Sequence, residues 1–136
     1  MKRSKLIVSI ITWVSAFMIC STAHAFEKDP EVVGRWKTVD FVKTIDQFNP
    51  STKYWKGDLF LLELDFHKRG YVTCSNKKVD KYQQDWTKGK VDPDSEHPAH
   101  YYIKEIENES YLFFEWISGD VTERGQKPHY YVLKKK

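Results

Sequence analysis

Beyond residue 25, no stretch of ten or more residues sustains a helical 3.6-residue period, whereas short runs of alternating apolar and polar residues recur between turn-forming clusters. A chain patterned this way folds as a meander of strands. The clearest run is Asp58 to Phe66, which puts Phe60, Leu62, Leu64 and Phe66 on one face and Leu59, Leu61, Glu63 and Asp65 on the other. His67-Lys68-Arg69-Gly70 then predicts a tight hairpin into Tyr71 to Cys74, with Gly70 supplying positive φ. Further strands are expected over Val32 to Val42, Trp86 to Val91, Tyr101 to Ile106, Tyr111 to Ile117, Val121 to Arg124 and Tyr130 to Leu133. Between them, Lys43 to Gly57 and the Lys-rich Ser75 to Asp85 read as connections, and Asp92 to Pro98 as a loop. About eight strands joined by short turns are expected to close as an all-β, antiparallel up-and-down barrel, because closure removes exposed edges. A β-sandwich is the alternative.

The first 25 residues read differently. Lys2, Arg3 and Lys5 precede an apolar run from Leu6 to Cys20, and Ala23-His24-Ala25 offers small residues at a cleavage site. This layout predicts a signal peptide over residues 1–25 with cleavage near Ala25, and export to the periplasm or medium. The run is about 15 residues, short of the roughly 20 that span a bilayer, so no transmembrane segment is expected in the mature chain, 26–136. A permanent N-terminal anchor is the alternative. Ile19 is too large for the usual site of lipid attachment at Cys20, which leaves Cys74 as the one cysteine after cleavage. No internal disulfide is then available. Cys74 is expected to act as a small buried hydrophobe rather than a nucleophile.

The whole chain carries a formal charge of +3, but its leader holds three cations and no acids, so 22 basic residues fall to 19 against 19 acidic ones. A balanced mature chain gives no reason to expect nucleic acid as a partner, and the tail Lys134-Lys135-Lys136 reads as solvated. G-x-S-x-G does not occur, and no glycine-rich phosphate cradle is present, which argues against the common hydrolases and nucleotide enzymes. Glu63 and Asp65 share a strand face and are weighed as a carboxylate pair about 7 Å apart, with two solvated charges as the plainer expectation. His97 and His100 have a metal-like spacing on a Pro-containing loop, and Asp92, Asp94 and Glu96 lack the glycine and final glutamate of a calcium loop. No metal, cofactor or catalytic residue is expected.

Gly34-Arg35-Trp36 resembles the G-x-W signature of lipocalin-type barrels. That resemblance implies that Trp36 plugs one barrel end beneath a late arginine, for which Arg124 is the candidate. More of the chain, including Glu31 to Val42, Trp55 to Leu61, Phe113 to Asp120 and Arg124 to Pro128 followed by Tyr130 to Leu133, is similar to a small bacterial extracytoplasmic domain. The domain occurs behind signal peptides or as the tail of membrane metallopeptidases of the β-lactam-sensor type. The resemblance implies a lipocalin-like barrel used for binding or sensing. The metallopeptidase H-E-x-x-H motif is absent here, so no peptidase activity is carried over.

The aromatic residues are the remaining functional signal. Trp55, Trp86, Tyr102, Trp116 and Tyr130 combine apolar area with a polar handle and are the candidate ligand-binding residues. The expectation is an exported, non-enzymatic binding module for a small apolar or amphipathic ligand, or a cell-envelope fragment. The alternative is a filled barrel that engages an envelope protein through a face or through the Lys43 to Gly57 loop.

Overall fold

The computed structural model describes residues 29–51 and 59–136. The expected leader, its cleavage site and Trp55 lie outside the described residues. Eight antiparallel strands follow one another around a closed barrel: β1 (Gly34–Val42), β2 (Leu61–Phe66), β3 (Tyr71–Asn76), β4 (Tyr82–Thr87), β5 (Lys90–Val91), β6 (Ala99–Ile106), β7 (Glu109–Trp116) and β8 (His129–Lys135). β8 pairs back on β1, from Val42↔Tyr130 to Trp36↔Lys135, so sequence neighbours are also spatial neighbours all the way round. Among the described residues, no helix is long and apolar enough to cross a membrane.

The turns explain the order. Gly70 at φ 96° closes the β2–β3 hairpin, as the sequence predicts, and Gly89 at φ 84° closes a two-residue turn between Thr87 and Lys90. Glu107 and Asn108 both adopt positive φ, the backbone of a type I′ turn that suits the twist of β6 and β7. These three turns lie at one end of the barrel, with Gly34 and Lys135; the longer connections lie at the other.

Every strand sends side chains inward. Trp36, Leu64, Phe66, Val72, Trp86 and Tyr101 belong to one buried cluster, completed by residues of β5, β7 and β8. Ring contacts cross the interior at both ends, with Phe66 edge-on to Trp86 and to Tyr101 (both 5.5 Å), and Tyr131 against Phe41 (4.6 Å) and Trp116 (5.2 Å). A second, smaller core lies outside the barrel. There Ile45 and Phe48 pack over Val42, Tyr111, Phe113 and Val132, with the Phe48 ring 4.9 Å from Tyr111. The first part of the Lys43 to Gly57 connection is therefore a cover on the protein's own sheet.

Four sequence expectations need correction. The register of β2 against β3 shifts between Leu61 and Glu63, and this bulge turns Leu61 into the core while Leu62 is left 44% exposed. Trp86 to Val91 is two strands, because Gly89 reverses the chain inside it. The Lys-rich connection is shorter than expected, since β3 runs to Asn76 and β4 starts at Tyr82. Val121 to Arg124 is not a strand. Its first residues belong to a short helix, α1 (Gly119–Thr122), in which the Val121 and Thr122 amides donate to the Ser118 carbonyl. The expected count of eight strands thus combines one missed division with one strand that does not form.

Candidate functional site

The four aromatic candidates among the described residues do not line one pocket. Trp86 is buried in the core, and its indole N–H donates to the His67 carbonyl at 3.0 Å, so its polar handle is spent within the fold. Trp116 is half-buried at the long-loop end between Phe60 and Tyr131. Tyr102 and Tyr130 point outward, and the structure does bring them together, with ring centroids 6.3 Å apart across β7. Beside them, the Glu115 carboxylate accepts from both the backbone N–H and Nδ1 of His100, at 2.8 and 2.9 Å. His97 is exposed in its loop, apart from that pair. Among the described residues, no group of three or more His, Cys, Asp or Glu side chains is placed to hold a metal ion.

The barrel-end plug is half as expected. Trp36 is fully buried, and its indole N–H donates to the Val32 carbonyl at 2.8 Å. The cation over its ring is Lys135, with Nζ 5.4 Å from the centroid; Gly34 is required by its φ of 124° rather than by space, since a Cβ there would meet Lys135 Cε at an ordinary 3.6 Å. Arg124 instead pairs with Asp120 at 3.2 Å and is 74% exposed beside α1. A helical turn replaces the strand that would have carried the guanidinium to the barrel end.

The outer face of β1 to β4 presents a different arrangement. The pairing register sets Arg35 opposite Asp65, Asp65 opposite Thr73, and Thr73 opposite Gln83, which makes a polar ladder four strands wide. A second row joins Lys37, Glu63 and Ser75. These rows are the solvent-facing halves of the same alternation that buries Trp36, Leu64, Val72 and Cys74. Over them runs an open groove of about 620 Å³, bounded by His67 toward the β2–β3 hairpin and by Lys81 and Tyr82 toward the long-loop end.

Its charges are organised in pairs. Arg35 Nε donates to Glu63 Oε1 at 2.8 Å, and Lys136 Nζ reaches Glu63 Oε2 at 3.3 Å. Burial alone would raise the Glu63 carboxyl, but the hydrogen bonds and charges of Arg35 and Lys136 outweigh it and hold the group below its ordinary value. Glu63 is therefore an anion at neutral pH and unsuited to act as a general acid. Asp65 has its own neighbour in His67, whose Nε2 is 3.7 Å from Oδ2 and 3.2 Å from Thr73 Oγ1. The His67 ring stacks on Tyr71 at 4.2 Å. Glu63 and Asp65 share a face as the alternation predicts, but each is engaged by separate cationic or imidazole partners. The arrangement presents fixed donors and acceptors, with the His67 imidazole between the Asp65 carboxylate and the Thr73 hydroxyl.

Sequence reasoning missed Arg35, Thr73, Ser75 and Gln83 as site residues. Arg35 and Thr73 stood in the polar half of predicted strands, whereas Ser75 and Gln83 lay in a stretch that reads as a connection, and only the register brings the rows into line. No family model matches this chain, and neither curated proteins nor solved structures contain a match to it.

Proposed function

We propose that this chain is an exported, non-enzymatic recognition module whose barrel is a packed scaffold and whose binding surface is the polar groove on the outer face of β1 to β4. The observation that carries the reading is the four-strand ladder Arg35, Asp65, Thr73, Gln83 beneath a groove of about 620 Å³. Its lining is polar and charged, which selects a polar ligand, in contrast to the apolar or amphipathic guest that the aromatic content suggested. Inside the barrel the Phe66 ring packs on Trp86 and Tyr101, and Tyr131 packs on Trp116. Export rests on the basic, apolar and small-residue layout of residues 1–25, and the lipocalin-like resemblance of Gly34-Arg35-Trp36 agrees with a binding role.

The test is to express the chain with its leader in a bacterial host, sequence the N-terminus of the envelope fraction, and record native mass spectra of the purified protein. Cleavage before Phe26 and a polar adduct lost in Asp65→Asn support the reading. Retention of the leader in the cytoplasm, or an adduct retained in Asp65→Asn but exchanged by an apolar fluorescent probe, overturns it.

A further inference from the structure

We infer that the groove takes a neutral saccharide, spanning more than one sugar ring; this rests on the groove being the recognition surface. The argument begins with donors and acceptors. Glu63 and Asp65 only accept as carboxylates, Lys81 and Arg35 only donate, and Thr73, Ser75 and Gln83 do both. Among the described residues, Arg35 commits its Nε to Glu63 while its two terminal nitrogens carry no bond, so the outer edge of the guanidinium fork faces solvent beside Asp65. A sugar hydroxyl donates and accepts at one atom, and adjacent hydroxyls can bridge a carboxylate to a neighbouring guanidinium or amide with charge-assisted bonds at both ends.

Charge makes the same selection. An anionic ligand meets Glu63 and Asp65, and a cationic one meets Arg35, Lys81 and Lys136. A neutral polyhydroxyl ligand meets complementary partners along the whole ladder. The length also fits. Four rungs are three strand-to-strand steps of about 4.8 Å, roughly 14 Å in all, which exceeds a single sugar ring and suits linked ones. On the hairpin side of the middle rungs, His67 lines the groove with its ring stacked on Tyr71, and a planar, partly exposed pair of this kind suits the C–H face of a sugar. Barrels of another type, the OB-folds, bind oligosaccharides on a strand face, an analogy of geometry alone.

The experiment is an amide NMR titration of the exported protein with a panel of soluble neutral and acidic oligosaccharides, and separately with Lys-rich and Asp-rich peptides. A neutral oligosaccharide is expected to shift the amides of Asp65, Thr73, Ser75 and Gln83. Asp65→Asn and Gln83→Ala should each weaken it about tenfold, and Lys104→Ala, on the outer face of β6, should leave it unchanged. Groove shifts with a charged peptide or an acidic sugar but with no neutral one overturn the neutral saccharide while leaving the groove as the recognition surface. Shifts confined to residues away from the groove, or none with any ligand of the panel, overturn both.

Discussion

The Lys135 ammonium lies 5.4 Å from the centre of the Trp36 ring while its Nζ donates to the Glu31 carbonyl at 3.0 Å. One side chain thus ties the last strand, the first strand and the turn before it across the barrel end. Lys135→Ala should lower stability by about 0.5–1 kcal/mol, the range for a partly exposed cation over an aromatic ring. Trp36→Ala should cost about 3–5 kcal/mol, since it empties the core beneath. Arg124→Ala should stay within about 0.5 kcal/mol, as surface substitutions do. Urea unfolding of the three variants checks the assignment, and a larger loss for Arg124 than for Lys135 would contradict it.

Thr38 is the one buried side chain among the described residues whose oxygen lacks a hydrogen-bond partner. It faces inward opposite Leu133, beside the bulge between Thr38 and Asp40. Removing a buried unpaired hydroxyl without changing its shape relieves a desolvation cost of about 1–3 kcal/mol. Thr38→Val should therefore raise the thermal midpoint. A fall in the midpoint would place a partner, such as an ordered water or an interior guest, at this hydroxyl.

Alkaline conditions should loosen the core. Burial pushes the Cys74 thiol up to about 11 and the hydroxyls of Tyr82 and Tyr101 up to about 12. Each is neutral in the fold, and its folded value lies above the ordinary one of 9.0 or 10.0. The stability linked to these groups is complete below those ordinary values and is lost as pH rises toward 11 and 12. Unfolding followed from pH 8 to pH 12 should show a falling midpoint above about pH 9. Cys74 should resist a thiol reagent at pH 8 in the native protein and react on denaturation; rapid native labelling would contradict its burial.

The acid side has the opposite sign. Because Glu63 is held below its ordinary value of 4.5, the stability contributed by its contacts with Arg35 and Lys136 is complete above that value and lost as pH falls below it. Glu63→Gln should flatten the pH dependence of stability in this acid range, by a small amount, because the cluster is partly solvated. An unchanged slope would show that the contacts contribute nothing measurable.

The barrel was legible because its information is local: period-2 alternation at Leu64 and Phe66, and glycine at the turn position of Gly70. What escaped was set by events that sequence period does not carry. A bulge moves Leu61 inward and Leu62 outward without changing either residue's hydrophobicity. At Val121 to Arg124, four residues with a single apolar side chain distinguish poorly between strand and helix, and the Ser118 carbonyl together with the Asp120–Arg124 pair settles them as a turn of helix. Aromatic content pointed to a pocket, yet tryptophan and tyrosine serve equally well as packing, as Trp86 and Tyr101 do. The polar ladder depended on four separate strands falling into register, which no single segment encodes.

The most direct test of the central claim is to map where a bound ligand perturbs the protein, using amide NMR of the purified chain with soluble neutral oligosaccharides. Shifts concentrated at Asp65, Thr73, Ser75 and Gln83 are the predicted result. Shifts concentrated at the inward-facing Tyr101, Leu112, Phe114 and Leu133 would contradict it and return recognition to the barrel interior.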